Sequence, residues 1–81
     1  MENTFRSDDI LLCSFLLTQN IQFIEIVEDY PRHFVFIFSN PEKCEQLKRE
    51  YINGATAPAK QLFIQREVLI SEIKNKNQKE K

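Results

Sequence analysis

The sequence predicts a single α+β domain in which a short antiparallel sheet packs with three helices. The chain has 81 residues, which is the size of one domain. Two runs rich in β-branched and aromatic residues, 22–28 and 34–39, predict an antiparallel hairpin. Three other segments carry helix caps and apolar residues at helical spacing. The predicted order is (β)αββαα, with residues 1–73 as the domain and residues 74–81 as a disordered basic tail.

The N-terminal part predicts an extended segment at 3–6, which can form an edge strand, and a helix at 8–19. Ser7 is the expected N-cap because its hydroxyl can accept a free backbone N–H of the first turn. Asp8 and Asp9 then lie in that turn, where the helix dipole favours carboxylates. The helix is apolar around almost its whole circumference, so we expect other elements to cover it on most sides.

The second strand of the hairpin is apolar on both faces. Phe34, Phe36 and Phe38 share one face, and Val35 and Ile37 share the other, because side chains alternate along a strand. This pattern predicts helices on one face of the hairpin and a helix or a second subunit on the other. The phenylalanine row has three interpretations: core, dimer interface or a surface that stacks nucleic-acid bases. The acidic residues nearby favour the core.

Two helices are predicted after the hairpin. Asn40 followed by Pro41 is typical of a helix start, since Asn caps well and Pro is favoured at the first helical position. This helix is expected to end near Asn53, with Gly54 as its left-handed stop. The spacing of apolar residues predicts a further amphipathic helix over 58–73.

Three segments carry a family resemblance. Residues 5–16 combine an aromatic residue, a small capping residue, an Asp and a Leu-rich helix; residues 34–38 are the Phe-rich strand; residues 51–54 read Tyr-Ile-Asn-Gly. In this order they resemble a family of small bacterial and phage proteins known as a domain of unknown function. The resemblance covers nearly the whole chain except its tail, and it implies a common fold without implying an activity.

No catalytic, metal or cofactor site is predicted. Cys13 and Cys44 are far apart in the sequence and His33 is the one histidine, so neither a disulfide framework nor a metal site is indicated. Ser7 and His33 with an acid lack the nucleophile elbow and oxyanion loop of a hydrolase. The sequence therefore predicts a protein that is not an enzyme and that uses no cofactor.

The expected location is the cytoplasm, with no membrane contact. The N-terminus has no secretion pattern, and the apolar run 10–17 would span only about 12 Å as a helix, whereas a bilayer core needs about 30 Å. The net charge of −1 gives no overall attraction to nucleic acid. Nucleic-acid binding is therefore expected to be weak.

Two classes of function stay open. Small size and the doubly apolar strand favour a non-enzymatic protein-interaction or self-assembling module, expected as a homodimer with a further unidentified protein partner. The alternative is a nucleic-acid-binding accessory protein, based on the scattered bases and the basic tail. The candidate contact for a partner is the patch at the end of the second predicted helix: Lys48, Arg49, Tyr51 and Asn53.

Overall fold

The computed structural model of the protein describes residues 3–79, with side chains described through residue 76. It contains three strands and three helices in the order βαββαα, so the predicted α+β class and the N-terminal strand are confirmed. The elements are β1 (Thr4–Ser7), α1 (Ile10–Thr18), β2 (Phe23–Tyr30), β3 (His33–Ser39), α2 (Pro41–Ile52) and α3 (Ala59–Lys79).

The strands form one antiparallel sheet in the order β1-β3-β2, which puts the apolar strand β3 in the centre. The hairpin turn is shorter than the predicted five-residue link, because Tyr30 pairs directly with His33. Pro31 has a fixed negative φ, and Arg32 follows with a φ of 66°. This combination is typical of a type II turn, and the Arg32 N–H donates to Glu28 Oε2 at 2.9 Å.

All three helices pack against one face of the sheet. Phe36 and Phe38 are fully buried there, and Phe34 packs beside them, so the core interpretation of the phenylalanine row is confirmed. The core is completed by residues from every other element: Phe5, Leu12, Cys13, Phe15, Leu16, Ile21, Ile26, Cys44, Leu47 and Leu69.

The sequence predicts a helix or a second subunit on the opposite face of the sheet; none of the described helices packs there, and the second subunit stays a prediction. Val35 and Ile37 lie on this face and are outside the core formed with the helices. They are nevertheless only 7% and 5% exposed in the single chain. Arg6 and Glu25 flank Ile37 in the ladder. The doubly apolar strand therefore needs no second subunit to be buried.

The start of α1 also differs from the prediction. Asp9 is the N-cap, since its carboxylate accepts from the N–H groups of Leu11 at 3.0 Å and Leu12 at 3.2 Å. Ser7 is the last residue of β1 and pairs with Phe36, which keeps it extended and moves the helix start along the chain. Its hydroxyl accepts from the Asp9 N–H instead, at 3.1 Å.

We expect Asp9→Ala to lower the free energy of unfolding by about 0.5–2 kcal/mol, because two N–H groups of the first turn of α1 lose their acceptor. Asp9→Asn is the matched control and should stay close to the wild type, since Asn caps as well as Asp. Urea unfolding followed by circular dichroism measures both. If Ser7→Ala lowered the free energy of unfolding more than Asp9→Ala does, Ser7 would be the N-cap of α1 instead of Asp9.

The end of α3 also differs from the prediction. The helix continues to Lys79, so the predicted end at Ile73 is wrong. The sequence after Ile73 contains neither glycine nor proline, so nothing in it forces the helix to stop. Disorder of the tail in solution stays a prediction, and residues 80–81 lie outside the described residues.

Candidate functional site

A small apolar hollow lies where the three helices meet. It encloses about 110 Å³, and we call it the helical cleft. Its lining residues come from all three helices: Leu11 and Ser14 of α1, Tyr51 of α2, and Leu62, Phe63 and Arg66 of α3. Small-molecule sites usually enclose about 300–1,000 Å³, so the helical cleft has room for one large side chain and not for a cofactor.

The floor of the helical cleft is built by α1. Ser14 is buried on the side of α1 that faces α3. Because its side chain is small, it does not fill the space between the two helices, and the cleft stays open there. The Ser14 hydroxyl donates to the Ile10 carbonyl oxygen at 2.7 Å within the same helix. Because this hydroxyl is already used, the cleft presents an almost entirely apolar floor.

Tyr51 is placed in the cleft by the way α2 ends. The Ala55 N–H donates to the Glu50 carbonyl oxygen at 2.9 Å, and the Gly54 N–H donates to the Tyr51 carbonyl oxygen at 3.1 Å. These two bonds form a Schellman motif, with Gly54 at a φ of 103°. The motif fixes the last turn of α2, and the Tyr51 ring packs on Phe15 with 5.4 Å between ring centroids.

The rim of the helical cleft is exposed and apolar. Leu11 is 55% exposed and Phe63 is 61% exposed, although both are large hydrophobic side chains. Arg66 supplies the polar part of the rim and contacts Glu67, with 3.4 Å between Nη1 and Oε2. Both partners of this pair are exposed, so it contributes little to stability. Because this pair is weak, a partner that displaces Arg66 to reach Leu11 and Phe63 loses little stabilisation.

The structure brings only one of the four predicted contact residues into this cleft. Tyr51 lines it, whereas Lys48, Arg49 and Asn53 are not among its lining residues. Lys48 is half-buried, while Arg49 and Asn53 are exposed on the surface of α2 and its end. Asn53 is the C-cap, and its N–H donates to the Arg49 carbonyl oxygen at 3.1 Å, which gives this residue a structural role. The contact prediction for these residues stays a prediction.

Sequence reasoning missed Leu11 and Phe63. Phe63 is one of the apolar residues whose spacing predicts α3, but the buried side of this helix follows Leu62, Leu69 and Ile73. Residue 63 lies about 100° around the helix from residue 62, at the edge of that stripe. The angular position alone could have indicated partial exposure. How far the Phe63 side chain is exposed depends on how closely α1 approaches α3.

His33 does not form a hydrolase triad with Ser7. His33 Nε2 lies 2.8 Å from Asp8 Oδ2, and its Nδ1 lies 3.7 Å from Asp29 Oδ2, too far for a hydrogen bond. The Tyr30 ring stacks on the imidazole with 4.5 Å between centroids. The hydrogen bond from His33 holds the pKa of Asp8 below its ordinary value. Asp8 therefore lies between β1 and α1 as an ionised partner of His33, not in the first turn of α1.

Both cysteines are free and buried. The Cys13 thiol donates to the Ser7 carbonyl oxygen at 3.8 Å, and the Cys44 thiol donates to the Ser39 carbonyl oxygen at 3.3 Å. Burial raises the pKa of Cys13 to about 12 and also raises the pKa of Cys44. Thiols with raised pKa values are poor nucleophiles and poor metal ligands. Among the described residues, no group of three or more His, Cys, Asp and Glu side chains could hold a metal ion.

We expect both thiols to react with Ellman's reagent far more slowly in the native protein than in urea at the same pH. The native state also keeps the Cys13 proton that an unfolded thiol, with a pKa of 9.0, gives up. The native state thus binds more protons in this range, so the free energy of unfolding should fall as the pH rises from about 9 towards 12. Equal reaction rates in buffer and in urea would show that the thiols are accessible.

Within residues 3–79, no helix combines the length and the apolarity needed to cross a membrane. No family model, curated protein or solved structure matches the chain. The resemblance to a family of small bacterial and phage proteins therefore stays a prediction.

Proposed function

We propose that the protein is a small, non-enzymatic interaction module of the cytoplasm, and that it docks a protein partner in the helical cleft. The observation that carries the proposal is the apolar rim of this cleft, formed by exposed Leu11 and Phe63. Exposed apolar side chains that adjoin an apolar hollow are typical of interaction sites. Two free thiols, Cys13 and Cys44, favour a reducing compartment.

A second copy of the chain is the partner that the cleft fits most directly. Phe63 projects from the rim of a hollow that encloses about 110 Å³. An apolar cavity of about 150 Å³ accommodates benzene, so the ring of a partner's phenylalanine is near the size that the cleft can hold after small adjustments. A projecting ring beside its own receptor is self-complementary, and a two-fold axis would place each Phe63 in the other chain's cleft.

The charges on α3 agree with such a pair. Lys60 precedes Phe63 by one turn, and Glu67 follows Phe63 by one turn. In an antiparallel crossing of two α3 helices centred on Phe63, Lys60 of each chain lies near Glu67 of the other. Opposite charges at the rim of an interface favour one orientation over the others.

Phe63→Ala tests this proposal, with sedimentation velocity from micromolar to millimolar protein as the measurement. We expect the wild type to pass from monomer to dimer in this range. Loss of the central ring should raise the dimer dissociation constant by about thirtyfold. Ile52→Ala is the matched control, because Ile52 is also exposed but lies outside the helical cleft. Circular dichroism of each variant shows that the fold is kept.

Two results would contradict parts of the proposal. A monomer of 9.7 kDa at every concentration would exclude self-pairing. A photo-crosslinker at position 63, used in cells that make the protein, then tests for a different protein partner. If crosslinks appear only to nucleic acid and disappear with nuclease, the accessory nucleic-acid-binding function replaces the interaction module.

A further inference from the structure

A groove runs along the outer edge of the sheet, between β2 and the last turns of α3. It consists of two open hollows that share Lys76 of α3. One hollow, of about 280 Å³, lies along residues 23–26 with Glu72 on its other wall. The second hollow, of about 500 Å³, lies along the rest of β2 and reaches Pro31. We call the two together the β2 groove.

The β2 groove exposes the edge of a strand. β2 is the last strand in the order β1-β3-β2, and among the described residues it pairs only with β3. Phe23 and Ile26 belong to the helix-facing side of β2, and Glu25 and Val27 belong to the opposite side. Because residues of both sides line the groove, it lies at the edge of the strand. The outward backbone groups of such an edge can pair with another strand.

The shape of the β2 groove favours an extended peptide as its ligand. In β-augmentation, a peptide adds to a sheet edge, main-chain hydrogen bonds supply affinity, and alternate side chains enter neighbouring hollows. The pairing of β2 with β3 is regular from Glu25 to Glu28 and shifts register on both sides of this stretch. Shifts of register interrupt the straight edge, so the regular stretch is the part that can template a new strand.

The charge of the groove selects a basic partner. Its charged lining residues are three carboxylates, Glu25, Glu28 and Glu72, and one ammonium, Lys76. Glu28 already accepts from the Arg32 N–H, so Glu25 and Glu72 are the carboxylates that a basic partner would contact. The same charges oppose pairing with the β2 edge of a second copy. β2 contains three acids and no base, so antiparallel self-pairing would bring acid near acid.

We propose that the β2 groove binds an extended, basic peptide segment of a partner protein as a fourth strand of the sheet. Side chains of such a strand alternate between the two sides of the sheet, so its lysine or arginine side chains would lie near Glu25 on the outer side, and its apolar side chains would contact Phe23 on the helix-facing side. Glu72 on the other wall of the groove adds to the attraction for a basic segment. This surface is separate from the helical cleft. The proposal therefore goes beyond the proposed function and does not depend on self-association.

The first test is an NMR titration of the full-length, ¹⁵N-labelled protein with a blocked hexapeptide of alternating lysine and valine. We expect amide shifts confined to residues 23–31 and the last turns of α3, together with slower hydrogen exchange of β2 amides. A glutamate–valine hexapeptide should not bind. A lysine–valine hexapeptide that is N-methylated at every residue keeps the charge but has no backbone N–H group on either edge, so it should lose most of the affinity.

The second test changes the protein. Glu25→Lys combined with Glu72→Lys should weaken binding of the lysine–valine hexapeptide by about tenfold or more, because two attractions become two repulsions. Glu45→Lys combined with Glu50→Lys is the matched control. It makes the same change in net charge on the exposed side of α2 and should leave the affinity unchanged. Phe63→Ala should also leave it unchanged, which separates this proposal from the helical cleft.

Three outcomes would overturn the proposal. Equal binding of the N-methylated hexapeptide would show that charge alone attracts the peptide. Amide shifts centred outside β2 and α3 would place the peptide elsewhere. Slow exchange of the outward β2 amides before any peptide is added would show that the chain itself or a second copy already occupies this edge.

Discussion

Phe36→Ala should lower the free energy of unfolding by about 3–5 kcal/mol, the range for deleting a buried aromatic side chain. Phe36 is 1% exposed and lies in the central strand, where it pairs with Ile26 on one side and Ser7 on the other. Its ring also contacts Phe23, with 6.3 Å between centroids. The substitution therefore opens a cavity between the sheet and the helices that rigid neighbours cannot fill.

Urea unfolding at constant protein concentration measures this loss, with Phe63→Ala as the matched control. The control deletes the same ring from an exposed position, so it should cost the monomer at most about 0.5 kcal/mol. If Phe36→Ala is unfolded without urea, Phe36→Leu gives a smaller loss that can be measured. A loss below about 1 kcal/mol for Phe36→Ala would mean that the ring is outside the core.

Leu69→Ala should cost about 2–5 kcal/mol, the second largest effect that we expect. Leu69 is fully buried, and among the described side chains of α3 it is the one that belongs to the buried core. The other apolar residues of this helix are partly or largely exposed. The attachment of α3 to the domain therefore depends strongly on this side chain.

Val68→Ala is the control for Leu69→Ala, because Val68 is the neighbouring apolar residue but is exposed. It should change the free energy of unfolding by at most about 0.5 kcal/mol. Equal effects of the two substitutions would show that α3 is not held through Leu69. Since α3 forms a wall of both the helical cleft and the β2 groove, Leu69→Ala should also weaken binding at both surfaces.

The sequence predicts most of the fold because its strongest features act locally. Asn40 and Pro41 start α2, and Gly54 ends it with a left-handed residue, as the cap pattern indicates. The alternation of Phe34, Phe36 and Phe38 correctly places one face of β3 against the helices. The caps act between residues close together in the chain, and the alternation is carried by consecutive residues, so a single sequence contains the needed information.

What the sequence could not predict depends on contacts between distant segments. Ser7 and Asp9 are both good caps, and the pairing of Ser7 with Phe36 decides which of them starts α1. Phe63 matches the apolar pattern of α3, and the packing of α3 against α1 decides how far it is exposed. The helical cleft and the β2 groove arise from the same packing, so neither could be located from residue patterns.

The strand order has a consequence for the route by which the chain folds. β2 and β3 are joined by the two-residue turn at Pro31 and Arg32, so their pairing closes a very short loop. β1 pairs with the other side of β3 and brings Thr4 to Ser39 across α1 and β2. Closing this longer loop costs more chain entropy. We therefore expect the hairpin to form early and β1 to join late, which makes the N-terminal strand the first part of the sheet to detach when the domain opens.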